Sequence, residues 1–434
     1  MTECNNIKEQ RRHNTGLAKV AVQCSADTFV VNQSLVLRIN PESIRDGKIA
    51  TFAKPENVIA NVFRVEYLYN TNPMKTILIS GARAPIALEM ARSFKLAGHR
   101  VIVMDCQYLT ITRWSNTVDK YYTIPSPRFN KEGFIKTLQQ IIQLEQVDHL
   151  IPTCEEAIFI AAYQSVLPCK VWTVNHDLII SLHNKYCFAQ QYHLLLPIPK
   201  TVLVSDFKDW NMSEKFVFKP VYSRFGSSVI MKKHIDSSHF KEDTKTNWVA
   251  QQFIMGKEVC VYSIWDNGNL KAFAAYHPLY RAGKGAGIFF EPIQNQIVFD
   301  YVKRFGKEIK YHGQLCFDVI IDHQQQPYFI ECNPRGTSGA HLLNNRLATA
   351  FLENEFVLPE NQTEYSIKYA MTLLHPSSLF KKRIIRSKDT IFRRKDLKPF
   401  FFQIASLFEI TYIKFKKKLT WLEATTSDIE WNGY

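Results

Sequence analysis

The stretch that most constrains this chain is Cys316-Phe317-Asp318, followed after a short polar interval by Phe329-Ile330-Glu331-Cys332-Asn333-Pro334-Arg335. Val319-Ile320-Ile321 and Tyr328-Phe329-Ile330 are apolar runs separated by a polar turn from Asp322 to Gln326, which predicts a β-hairpin. Glu331 and Asn333 stand two residues apart and share a strand face, and the hairpin brings Asp318 beside them. Three oxygen donors without histidine suit Mg²⁺, which prefers carboxylate, amide and phosphate oxygens. A site of this kind normally holds a nucleoside triphosphate.

Upstream the chain reads as α/β. Thr76-Ile77-Leu78-Ile79-Ser80 is a buried strand, Gly81 a tight turn, Pro85 to Leu96 a helix, and Val101 to Met104 a second strand. This βαβ unit belongs in a doubly wound sheet. One glycine falls short of a dinucleotide fingerprint, so none is assigned. A helix from Lys131 to Leu144 and the strand His149-Leu150-Ile151 lead to Thr153 and Glu156, which have the spacing of a capping box. Glu155 is left free to face a ligand cleft beyond the strand ends.

Lysines supply the partners for phosphate. Lys219 ends the strand Phe216-Val217-Phe218 and roots the loop Tyr222 to Ser228, whose Ser223, Gly226, Ser227 and Ser228 can present donors to phosphate before a return strand, Val229 to Met231. Lys185 opens a helix. The strand Trp248 to Gln252 continues through Phe253 and Ile254 to Gly256 and Glu258, with backbone suited to an adenine edge and a carboxylate suited to a ribose or a metal-bound water. Arg281 and Lys284, in the glycine-bearing loop Arg281 to Gly287, are candidate clamps for a substrate carboxylate.

Taken in order, Asn184-Lys185, Phe218-Lys219-Pro220, Gln252 to Glu258, Phe317-Asp318 and Glu331 to Arg335 resemble the ATP-grasp superfamily, in its carbamoyl-phosphate synthetase large-subunit-like and carboxylate–amine ligase branch. The resemblance covers Met74 to about His341. It implies mixed α/β and α+β architecture, with a Rossmann-like pre-ATP-grasp domain (74–183) and a two-lobed ATP-grasp domain (184–345); a basic C-terminal segment (346–434) and a motif-free N-terminal extension (1–73) lie outside it. Lys185 and Lys219 would contact the α- and β-phosphates, with Gln252, Phe253 and Ile254 at the adenine hinge and Glu258 near the ribose. Asp318, Glu331 and Asn333 would hold one or two Mg²⁺, with Mn²⁺ as a substitute, and Arg335 would stabilise the transferring phosphoryl group. The implied activity is carbon–nitrogen ligation through an acyl phosphate. Carbamoyl-phosphate-type chemistry through carboxyphosphate, or a nucleotide-binding scaffold without activity, are the alternatives. Gln251-Gln252 stands where many members have an acidic residue, and the loop after Pro220 has one glycine where others have several.

Composition narrows the setting. Nine cysteines are scattered singly, without Cys-x-x-Cys pairs, which points to a reducing compartment and away from structural zinc. No apolar run is long enough to span a bilayer and the polar start lacks signal-peptide order, so a cytoplasmic protein is expected. Between Pro376 and Lys418 there are 13 basic residues and three acidic ones. A solvated basic face is the expectation for this segment, with Phe392, Phe400, Phe401, Phe402 and Phe408 as core contacts. Small-molecule substrates are the expected partners; a homodimer and polyanion contact through 376–418 stay open.

Overall fold

The computed structural model describes residues 73–224, 228–231, 234–283 and 285–433, together with the strands β1 (Lys19–Gln23) and β2 (Arg64–Leu68). The chain divides between Met74 and Lys75 into two compact units. In the first unit β1 and β2 pair antiparallel, Lys19 opposite Leu68 and Gln23 opposite Arg64. The apolar stretches Phe29-Val30-Val31 and Leu35-Val36-Leu37 lie outside the described residues.

The second unit opens with five parallel strands: β3 (Thr76–Ser80), β4 (Arg100–Asp105), β5 (Lys120–Thr123), β6 (His149–Ile151) and β7 (Lys170–Val171). Their order, β5-β4-β3-β6-β7, reverses direction at β3. The crevice beyond the carboxyl ends of β3 and β6 is therefore the switch point at which open α/β sheets gather ligands. Gly81 makes that crevice possible. Its φ is +73°, and a Cβ there would lie 2.4 Å from Thr153 Oγ1. The expected capping box is only half formed. Glu156 Oε1 accepts from the Thr153 N–H at 3.1 Å, but the Thr153 hydroxyl donates to the Ser80 carbonyl at 2.7 Å and so ties β6 to β3.

A small antiparallel sheet follows, β8 (Thr201–Leu203), β9 (Phe216–Pro220) and β10 (Trp248–Gln252), ordered β8-β10-β9. Phe207, Phe216, Phe218 and Phe240 form its buried aromatic core. The return strand expected from Val229 to Met231 shrinks to one bridge between Phe218 and Ile230.

The largest sheet takes β11 (Lys257–Asp266), β12 (Asn269–Ala282), β13 (Ala286–Ile293), β14 (Gly313–Ile321), β15 (Pro327–Asn333) and two short strands, β16 (Tyr365–Ser366) and β17 (Lys388–Asp389). Their order is β15-β14-β11-β12-β13-β16-β17, antiparallel except for the last pair. The helix Gln296–Glu308 buries Val298, Val302 and Phe305, spaced to share one face, among Trp265, Phe317 and Phe329. Ile86, Met90 and Phe94 from the helix Pro85–Leu96 join Tyr262, Ile264 and Tyr276 in a second core that fastens the parallel sheet to the large one.

Beyond residue 390 the chain crosses back to the parallel sheet through the helix Lys398–Lys417. Glu409 accepts from the N–H groups of Tyr108 (2.8 Å) and Leu109 (2.6 Å), and Phe402 stacks on Trp114 with ring centroids 3.8 Å apart. The helix does not bury all its phenylalanines as expected. Its packed face is set by Gln403, Ser406 and Glu409, which turns Phe401 and Phe408 outward at 63% and 69% exposure. Phe392 is also exposed.

Gly313, at φ +104°, starts β14 directly against β7; a Cβ there would sit 2.5 Å from the Trp172 carbonyl oxygen. Gly313→Ala should therefore destabilise the protein by about 1–3 kcal/mol through overpacking, more if the backbone cannot shift. Urea unfolding checks this, and an unchanged midpoint would show that the contact is loose.

Candidate active site

A cleft of about 890 Å³ opens where the three sheets meet. Its floor is the hairpin the sequence predicts. Asp318 pairs directly with Glu331 across β14 and β15, and Cys316 pairs with Asn333. Opposed residues share a face, so Asp318, Glu331 and Asn333 point into the cleft together. The register slips after Asp318, where Val319 faces Phe329 and Ile330 bulges out. Bulges re-aim groups beside active sites. Here the bulge frees the Ile330 carbonyl to accept from Lys219 Nζ at 3.0 Å.

Two half-buried carboxylates at opposed positions compete for charge. Loss of water, then the neighbouring Glu331 and Glu258, push Asp318 up to about 7. Glu331 goes the other way: burial raises it, but Lys185, Lys219, His183 and Arg335 together hold it below the usual carboxylate range. The Asn333 side-chain N–H donates to Asp318 at 3.2 Å and its Oδ1 accepts from Arg335 at 3.2 Å. An all-oxygen donor set whose two carboxylates repel each other fits a divalent cation of the Mg²⁺ type. Cys260 also approaches Asp318 and Glu258. Burial raises its thiol well above its ordinary value.

Both lysines lie where the sequence places them, and both are buried. Lys185 opens the helix Lys185–Tyr192, capped by Asn184, with Nζ 3.4 Å from Glu331 and donating to the Ser223 carbonyl at 3.2 Å. Lys219, on β9, donates to Gln251 Oε1 at 2.9 Å. Burial lowers it to about 8, against the pull of Glu331. Gln251, at the position where the resemblance expects an acid, thus orients Lys219 as a neutral acceptor, while Gln252 is exposed. Phe253 and Ile254 line the cleft; the Phe253 N–H is already given to the Lys215 carbonyl at 2.8 Å. Ser228 is exposed, whereas Gly226, Ser227 and Lys284 lie outside the described residues. Arg281 donates to Glu258 and to the Gly285 carbonyl, so the clamp and ribose candidates form one ion pair.

The opposite wall comes from the switch point of the parallel sheet, where Glu155 lines the cleft as its place beyond a strand end suggests; its partners had no local signal. Glu155 is buried among Arg224, with which it forms an ion pair, His183 Nε2 at 3.9 Å and Arg335 Nε at 3.8 Å. The Trp431 N–H donates to it at 3.1 Å, and Arg224 also donates to Glu430 at 2.9 Å. Arg83, just past Gly81, donates to Asp105 at 3.0 Å and to Asp428 at 2.8 Å. Residues 428–431 therefore cover this wall with acid. Arg224 stood within the loop already singled out, and its pairing with residues some 200 positions later had no local signal.

Residues 182–339 match the family model for the ATP-grasp domain. That segment, a little over a third of the chain, holds Lys185, Lys219, Asp318, Glu331 and Asn333. Among solved structures the chain is similar to an L-amino acid ligase from Bacillus licheniformis, at 16% identity and TM-score 0.50, over 64% of this chain and 71% of that one. It is similar to the ADP complex of an N5-carboxyaminoimidazole ribonucleotide synthetase, at 16% identity and TM-score 0.53, over 67% and 80%. The biotin carboxylase domain of Hydrogenobacter thermophilus 2-oxoglutarate carboxylase, solved with MgADP and bicarbonate, resembles it at 15% identity and TM-score 0.51, over 65% and 71%. At these identities the likeness is one of fold. No curated protein sequence matches the chain.

The Glu155 cluster makes an acid-stability test. Burial raises its carboxyl, but Arg224, His183 and Arg335 outweigh burial and hold it at about 2, down from 4.5. The folded value lies below the unfolded one, so the stabilisation is complete above about pH 4.5 and disappears as pH falls through about 2. Glu155→Gln should cost on the order of 3 kcal/mol at neutral pH and flatten the acid limb. Urea midpoints measured from pH 7 down to about 3 decide it; parallel curves for wild type and variant would refute the cluster's role.

Proposed function

We propose that the chain is an ATP- and Mg²⁺-dependent ligase that activates a carboxylate as an acyl phosphate and passes the acyl group to an amine. The observation behind this reading is the meeting of Asp318, Glu331 and Asn333 with Lys185 and Lys219 on one wall of a cleft whose other wall presents Glu155 and Arg335. Asp318, Glu331 and Asn333 would hold Mg²⁺, which supplies charge neutralisation between phosphates when bound. Lys185 and Lys219 neutralise phosphate oxygens, with Ser223, Gly226, Ser227 and Ser228 covering them. Gln252, Phe253 and Ile254 border the base and Glu258 the ribose. Arg281 and Lys284 are assigned to the substrate carboxylate, for which Arg281 would exchange Glu258.

A carboxylate is a poor electrophile. Its oxygen takes the γ-phosphoryl group as the bond to the ADP oxygen breaks, with Arg335 balancing the charge on the moving group. The neutral amine nitrogen, its ammonium proton already given to solvent, then bonds to the acyl carbon; phosphate leaves with the electron pair, and the second nitrogen proton passes to the departing phosphate or to solvent. Phosphoryl transfer asks for positioning and charge more than for a nucleophile, and the cleft's inventory is of that kind.

We assign residues 74–183 to a domain preceding the ATP-grasp domain, 184–345 to the ATP-grasp domain, 346–434 to its C-terminal extension and 1–73 to a separate N-terminal segment. The described cysteines from Cys106 to Cys332 are all free, and no helix among the described residues is long and apolar enough to cross a membrane. The free cysteines support a reducing compartment.

The test is ADP release across a panel of amino acids, small acids and bicarbonate, with hydroxylamine trapping an acyl phosphate. Release with bicarbonate alone would favour carboxyphosphate chemistry, and no release with any acid would reject the ligase. Glu331→Gln or Asn333→Ala should abolish Mg²⁺-dependent turnover and keep the fold, since each removes an oxygen function without opening a cavity; wild-type rates in either would refute the metal assignment. Lys219→Ala should weaken ATP binding by roughly 1.5–3 kcal/mol, well beyond the effect of the exposed Lys257→Ala. Calorimetry giving equal affinities for the two variants would count against the phosphate role.

A further inference from the structure

The helix Lys398–Lys417 is turned inside out. Two uncharged polar side chains and its single acid face the protein: Gln403 and Ser406 are 6% and 9% exposed, and Glu409 caps the backbone at Tyr108 and Leu109. Its outward face is apolar from end to end. Leu397, Phe401, Ile404, Phe408, Tyr412 and Phe415 follow at steps of three and four residues, each between 42% and 69% exposed. A surface helix of a globular protein normally does the reverse, and a continuous exposed apolar stripe marks a binding surface.

Charge selects the occupant. Arg394, Lys395 and Lys398 lie exposed at one end of the stripe, and Lys416, Lys417 and Lys418 at the other, with Trp421 exposed beyond them. A second copy packed on this face, in either direction, would set cation against cation. An anionic bilayer offers phosphate to the lysines and acyl chain to the aromatics, the pairing that in-plane amphipathic helices use. The helix is not long and apolar enough to cross the bilayer, so it would lie along it.

We propose that this helix is a membrane-docking surface that lays its aromatic stripe into the headgroup layer of an anionic bilayer. Its inner side lends Ser406, Leu407 and Ile410 to the wall of the cleft. Docking therefore sets the cleft at the membrane surface.

The full chain should co-sediment with vesicles of phosphatidylcholine containing about 30% phosphatidylglycerol roughly tenfold more strongly than with phosphatidylcholine alone, and about 0.5 M salt should remove the preference. Phe401→Ser with Phe408→Ser should lose roughly tenfold in vesicle affinity with unchanged circular dichroism and ATP binding. Lys416→Gln with Lys417→Gln should lose the anionic preference alone. Three results would overturn the proposal: no binding to either vesicle, equal binding by wild type and the phenylalanine variant, or a wild-type dimer that this variant converts to monomer without vesicle binding.

Discussion

Asp318 and Glu331 stand opposed on neighbouring strands, and most of the cleft can be understood as an answer to their repulsion. Two full charges about 5 Å apart in a partly dry site cost on the order of 3 kcal/mol. Lys185 and Lys219 pull Glu331 into its ionised form, whereas Asp318 is left to climb toward neutrality. The protein has stopped short of full compensation. Further protein cations at Asp318 would lower the cost, and they would also fill the place a metal ion and phosphates need.

That economy governs the second row of residues as well. Gln251 accepts from Lys219 without adding charge, and the bulged Ile330 carbonyl does the same from below. An acid in place of Gln251 would fix Lys219 more firmly and leave it less positive charge to offer a ligand. The bulge and the glutamine together aim one ammonium group at the cleft.

How much of this was legible in the sequence depends on the reach of each interaction. The β14–β15 hairpin, the helix behind Pro85 and the strand ending at Lys219 follow from periodicity and turn chemistry within a few residues, and they stand where those rules place them. The opposite wall does not. Glu155 and Arg224, or Arg83 and Asp428, meet because separate elements pack, which no local pattern records. The helix Lys398–Lys417 shows a different limit. Its sequence is apolar on most sides, so composition suggested buried phenylalanines, and only the hydrogen bonds of Glu409 and the stacking of Phe402 on Trp114 decide which side is in.

The acidic cover over Arg83 has a bearing on how the molecule assembles. Arg83 and Asp428 are 345 residues apart in sequence, and Arg224 and Glu430 are 206 apart. Contacts of such separation carry a loop-closure entropy larger than that of neighbouring strands, and they form more slowly for it. The sheets can form early from neighbouring strands, but the second wall of the cleft should be among the last features to consolidate. Until these contacts close, the arginines beside Glu155 and Asp105 lack partners from the C-terminal residues, so the second wall of the cleft is complete only in the fully folded chain.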